Sequence, residues 1–138
     1  MMVLVDTPVW SLALRRRRED LSQREQELRS TLEKLVSQGN VALLGAIRQE
    51  LLSGIREERQ FLKLRDTLRA FRDAELRVED YEEAARLGNV CRGRGVSGSP
   101  IDFLICAVSI LRRWPVLTVD QDFARYAKHI PVQLMEIG

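Results

Sequence analysis

Histidine is almost missing from this chain: His129 stands alone among 138 residues. Cysteine is nearly as rare. Cys91 and Cys106 lie far apart and in no metal-ligand spacing. These two scarcities leave little room for zinc centres of Cys and His, and they weigh against histidine acid–base chemistry. Lysine is scarce too, supplying 3 of 22 basic residues against 19 arginines. Arginine forks suit phosphate better than lysine does, although a GC-rich genome produces the same excess. A net charge of +2 excludes a bulk polycation. No apolar run approaches the roughly 20 residues of a membrane helix. Arg15 to Arg18 follow the apolar start rather than precede it, the reverse of a secretory leader. The expectation is a cytoplasmic protein whose chemistry, if any, rests on carboxylates.

What is present reads as one domain over residues 1–138, ordinary in its 45% apolar and 30% charged content. A chain of this size buries roughly 70% of its unfolded surface and folds without a disulfide. Met2-Val3-Leu4-Val5, Val41-Ala42-Leu43-Leu44 and Val116-Leu117-Thr118-Val119 are short apolar runs that suit buried strands. Between them lie amphipathic stretches. Leu21 to Gln38 carries Leu21, Leu28, Leu32 and Leu35 at helical spacing and stops at Gly39-Asn40. Ala46 to Gly54, a polar helix with Phe61, Leu64, Leu68 and Phe71 in register, and Glu79 to Arg92 follow. Leu76-Arg77-Val78 suits a short extended piece, and Val132 to Ile137 an edge strand. Strands alternating with helices indicate an α/β fold with a mostly parallel central sheet, covered on both faces.

Ser99 to Leu111 is apolar on every side, as in a core helix, yet it carries Asp102 in its first turn. Two readings compete. Ser99, Pro100 and Asp102 have the spacing of a capping box. Alternatively, Asp102 faces other acids as a metal ligand. The other acids favour the second. Asp6 ends the first strand, and Asp120 and Asp122 end the third. Ligands of parallel sheets bind at that carboxyl edge. Glu50 lies six residues beyond the second strand. Carboxylates converging there without basic partners repel one another, and a divalent cation relieves that. Oxygen ligands favour Mg²⁺ or Mn²⁺.

Four segments in order carry a family resemblance: Val5-Asp6-Thr7-Pro8-Val9-Trp10, Gln49-Glu50-Leu51-Leu52-Ser53-Gly54-Ile55-Arg56, Ser99 to Ala107, and Leu117-Thr118-Val119-Asp120-Gln121-Asp122-Phe123. Together the chain resembles a PIN domain, and more narrowly the ribonuclease toxin of a VapBC-type toxin–antitoxin pair. Pro8 stands where common members have Ser, and Cys106 where many have Ala; neither change removes an acid. The resemblance implies a three-layer α/β/α sandwich and Mg²⁺- or Mn²⁺-dependent cleavage of RNA phosphodiester bonds. It implies Asp6 and Asp102 as principal metal ligands, Glu50 as third acid, Asp120 or Asp122 as fourth, and Thr118 as a supporting hydroxyl. It also implies a cognate antitoxin and a homodimer.

Gly93-Arg94-Gly95-Val96-Ser97-Gly98 fits a dinucleotide fingerprint, but a helical pattern rather than a strand precedes it. Arg92 and Arg94 beside a helix start, and the run Arg15, Arg16, Arg17 and Arg18, are candidate RNA-backbone contacts. Each is equally a solvated surface group. Trp10, Leu12 and Leu14 belong either to the core or to an antitoxin-binding surface. The rival functions are a housekeeping PIN nuclease in RNA processing, a phosphoacceptor module and a non-catalytic interaction module.

Overall fold

The computed structural model describes residues 1–137. Three parallel strands form its sheet: β1 (Val3–Val5), β2 (Val41–Ala42) and β3 (Val116–Leu117). The order is β2-β1-β3, so β1 is the central strand. Val3 and Leu4 pair with Val41 and Ala42 on one side, and Leu4 and Val5 with Val116 and Leu117 on the other. The first crossover leaves β1 to one side and the second passes back over it. Right-handed connections therefore put helices on both faces. The result is the expected α/β/α sandwich.

Helix α1 (Thr7–Leu14) starts where the Asp6 carboxylate accepts a bond from the Thr7 N–H and Pro8 sits in the first turn. Its Trp10 is 1% exposed and donates its indole N–H to the Val5 carbonyl at 3.1 Å. Leu12 is buried as well. Trp10 and Leu12 are therefore core residues rather than a docking surface, because the indole has found both an acceptor and Phe71 as an edge-on partner. Helix α2 (Gln23–Ser37) opens on a Ser22–Glu25 capping box and buries Leu28, Leu32 and Leu35. Gly39, at φ +71°, turns the chain into β2. Helices α3 (Gly45–Leu52) and α4 (Glu58–Leu68) follow.

Two short extended segments come out differently from the sequence pattern. The expected piece at 76–78 is not a strand. The Arg77 N–H is taken by the Asp80 carboxylate, which starts α5 (Val78–Gly93) at Val78. The single bridge in this region joins Leu43 to Asp73, three residues earlier. The stretch 132–137 makes one parallel bridge, Leu134 to Val116, because β3 ends at Leu117 and offers nothing further to pair with.

Helix α6 (Pro100–Arg112) buries Phe103 to Ser109 without a break. It packs antiparallel to α5: Gly88 meets Phe103 at one end, and Arg112 meets Asp80 at the other. Cys91 and Cys106 are both buried and free, as a pair of small core residues should be. Helix α7 (Gln121–Tyr126) closes the carboxyl edge of the sheet. Among the described residues no helix is long and apolar enough to cross a membrane.

Candidate metal centre

The strand order reverses about β1, and the crevice beyond the ends of β1 and β3 is where open α/β sheets hold ligands. Asp6 is the first residue past β1. Its N–H donates to the Leu117 carbonyl at 2.9 Å, which ties the two strand ends together. Its side chain is 5% exposed, and both oxygens are occupied. One accepts from the Thr7 N–H at 2.8 Å, the other from the Thr118 hydroxyl at 2.8 Å. Thr118 in turn accepts from the Asp120 N–H at 3.0 Å. Thr118, for which the resemblance implies a supporting hydroxyl, thus links the Asp6 carboxylate to the Asp120 backbone.

Asp102, Asp120 and Asp122 each offer a carboxylate oxygen within 4.8 Å of the others, a spacing that suits one shared cation. They come from the start of α6 and the start of α7. Asp120 is the N-cap of α7 and accepts from the Asp122 N–H at 2.9 Å, while Asp122 pairs with the exposed Arg125 at 3.0 Å. At the head of α6, the Asp102 N–H donates to the Ser99 hydroxyl, which is half of a capping box. The carboxylate does not complete the box. Its Oδ2 accepts instead from the Tyr126 hydroxyl at 2.7 Å.

The electrostatics follow from this packing. Burial first, then the charges of Asp102 and Asp120, push the Asp6 carboxyl up to about 6 from 3.8, against the hydrogen bonds from Thr118 and Thr7. Asp102 is raised too, by burial and by Asp120 and Asp122, although Tyr126 and Ser99 pull it back. Burial and the neighbouring Asp102 charge push the Tyr126 hydroxyl up, so it stays a donor. Cys106 is raised by burial above all, and remains a neutral thiol.

A divalent ion fits these residues on chemical grounds. The donors are all oxygen, the acids outnumber the single arginine that touches them among the described residues, and two of them are held above their ordinary pKa. Thr7 Oγ1, next in the chain to Asp6, is buried with no partner among the described residues.

Glu50 lies on α3, exposed and outside the group of mutually close carboxylates. Arg15 caps the end of α1. Arg16 is bound to Glu25 at 2.8 Å and to the Asp20 carbonyl, and Arg17 reaches Glu19 at 3.8 Å. Arg18 opens a 3₁₀ turn. Arg92 and Arg94 end α5, exposed. A groove of about 1040 Å³ adjoins the acids, and Arg16, Arg24, Thr118, Asp120 and Gln121 are on its walls. The residue that the sequence reading missed is Tyr126. One signal was available: a phenol on the apolar face of a short helix, three residues from Phe123, needs an acceptor inside the protein.

The comparisons agree with this architecture. The family model described as "PIN domain" matches residues 3–129. Among solved structures, FitAcB from Neisseria gonorrhoeae is similar at a TM-score of 0.76 and 19% identity, covering 98% of this chain and 97% of that one. VapBC2 from Rickettsia felis, bound to a DNA fragment from its promoter, is similar at 0.75 and 15% identity, over 98% of both chains. VapBC-1 from nontypeable Haemophilus influenzae follows at 0.69 and 14% identity, covering 99% of this chain and 98% of that one. No curated protein matches the sequence. A family match over nearly the whole chain, with the buried Asp6 and the half-buried Asp102, Asp120 and Asp122 at the switch point of the matching fold, makes this chain a member of the PIN domain family.

Proposed function

We propose that this PIN-domain nuclease is a metal-dependent endoribonuclease, the toxin of a type II toxin–antitoxin pair. The observation that carries the catalytic part is the close set of Asp102, Asp120 and Asp122 beside the buried Asp6. Asp6, Asp102 and Asp120 are assigned as the residues that hold Mg²⁺ or Mn²⁺, with Asp122 beside them. Glu50 is assigned as an outer acid approached from α3. A bound ion of this kind polarises a phosphoryl oxygen and lowers the pKa of its water toward neutrality. Thr118 fixes Asp6 relative to Asp120, and a carboxylate of the cluster orients the attacking water. Arg16 and Arg24 on the adjoining groove give the RNA backbone a partly basic track; Arg15, Arg17, Arg18, Arg92 and Arg94 are not on its walls, and a role for them requires RNA that extends beyond it.

The toxin assignment is supported by the likeness to FitAcB and to the two VapBC structures. A cytoplasmic toxin of this kind has a cognate antitoxin and forms a homodimer. The phosphoacceptor rival lacks support, since the chain belongs to a nuclease family rather than to receiver domains.

The test combines induced expression and purified protein. Wild-type expression should arrest growth, and a protein encoded beside it should relieve the arrest. Asp102→Asn should cut RNA cleavage by more than about a hundredfold, beyond the upper range for supporting residues. EDTA should abolish cleavage and Mn²⁺ restore it. Full activity in Asp102→Asn, or in EDTA, overturns the metal mechanism. Cleavage without growth arrest leaves the housekeeping nuclease.

A further inference from the structure

Tyr126 is wholly buried, yet its hydroxyl is spent on one acceptor only, Asp102 Oδ2 at 2.7 Å. Its ring is fixed on two sides. Phe103 from α6 lies at 4.9 Å between ring centroids, and Phe123 from α7 lies edge-on at 5.3 Å. The third side is Gly98. A Cβ at that position would collide with Tyr126 Oη and lie 2.7 Å from Cζ. The loop 94–99 therefore passes the phenol so closely that only glycine fits there. This gives the last glycine of the Gly93–Gly98 segment a physical role that has nothing to do with a nucleotide.

We propose that Tyr126 is a positioning residue for the metal centre, and that Gly98 exists to admit it. The hydroxyl fixes one oxygen of Asp102 and so sets the carboxylate plane toward Asp120 and Asp122. Asp102 sits at N3 of α6, where an acid ordinarily turns back to the Ser99 N–H. The phenol gives it a different acceptor role, and the head of α6 presents its acid to the cluster instead of capping the helix. Partners that orient a metal-binding side chain typically affect metal affinity by 10–100-fold. The inference rests on the metal-dependent reading above.

The experiment is titration of the metal-free protein with Mn²⁺ by calorimetry, alongside thermal unfolding and RNA cleavage. Tyr126→Phe deletes one oxygen and keeps the ring against Phe103 and Phe123. It should fold, weaken Mn²⁺ binding by about tenfold, and recover cleavage when Mn²⁺ is raised. Gly98→Ala should weaken binding in the same direction by displacing the phenol. In the Tyr126→Phe background it should add little, since the two changes act through one contact. A folded Tyr126→Phe that binds Mn²⁺ as tightly as wild type overturns the positioning role. So does full additivity of the two variants. Wild-type protein that takes up no Mn²⁺ overturns the metal-dependent reading itself, which is a separate result.

Discussion

The antiparallel pair of α5 and α6 has two ends, and each holds an aspartate at the third position of a helix. At the first end Asp80 is 3% exposed. It reaches back to the Arg77 N–H and takes a two-pronged bond from Arg112, at 2.7 and 2.9 Å. Arg112 also donates to the Glu75 carbonyl and lies over the Trp114 ring at 5.6 Å. The arginine holds the Asp80 carboxyl below its ordinary range. At the other end Asp102 has a phenol instead of a cation, and the nearby Asp6 is 5% exposed with only neutral donors. There the carboxyls are raised. A buried acid that serves structure brings its own counter-charge. On the metal-dependent reading proposed above, an acid that serves a bound ion leaves that place open, and its carboxyl is raised in the metal-free fold.

The largest effect expected is at the closed end. Arg112→Met leaves Asp80 buried without a cation. Removing one partner of a buried pair costs about 3–5 kcal/mol. Arg112 is partly solvated, so the loss should fall toward the lower figure. Urea unfolding at pH 7 measures it; a loss below about 1 kcal/mol would mean that Asp80 is not held by this arginine. The pair also has a pH signature. A depressed folded pKa contributes stability above the unfolded value of 3.8, and loses it as the pH falls through the folded pKa.

The open end should behave oppositely. With its folded pKa near 6 against 3.8, metal-free Asp6 holds its proton while the unfolded chain has lost it. Its contribution to stability is full below pH 3.8, falls between about 4 and 6, and is then constant. Ionised Asp6 at pH 7 costs the metal-free protein about 3 kcal/mol. Asp6→Asn keeps the helix cap through its one oxygen, since Asn caps as well as Asp, but its amide nitrogen cannot accept from the Thr118 hydroxyl. It should flatten that limb of the stability profile while abolishing cleavage. An unchanged downward slope in the variant would show that another group is responsible.

Much of this contrast was legible from residue types alone. Acids at the ends of apolar runs marked the carboxyl edge, and the parallel sheet followed from strands alternating with helices. What the sequence does not distinguish is the fate of a shared local pattern. Ser22-Gln23-Arg24-Glu25 and Ser99-Pro100-Ile101-Asp102 both have the spacing of a capping box. The first closes, with Glu25 taking the Ser22 N–H at 2.9 Å. The second stays half-made, because Tyr126 arrives from another helix, 24 residues along the chain, and takes the carboxylate. That outcome depends on packing between α6 and α7, which no local window contains. Glu50 illustrates the same limit. Its place in the chain matched the family pattern, but its position on the exposed side of α3 depends on how that helix packs.

The smallest effect expected concerns the one cation that, among the described residues, touches the open end. Arg125 reaches Asp122 from the next turn of α7, with its side chain 64% exposed. Exposed pairs of this kind contribute well under about 1 kcal/mol, so Arg125→Ala should leave the Tm almost unchanged. Mn²⁺ affinity is the sharper readout. An ion drawn to Asp102, Asp120 and Asp122 competes with the guanidinium for Asp122, and removing the arginine should tighten binding a few-fold, most visibly at low salt. Weaker binding would mean that Arg125 orients Asp122 rather than opposing the ion. The two ends of the helix pair would then differ in how deeply their cations are buried, and not in whether they keep one.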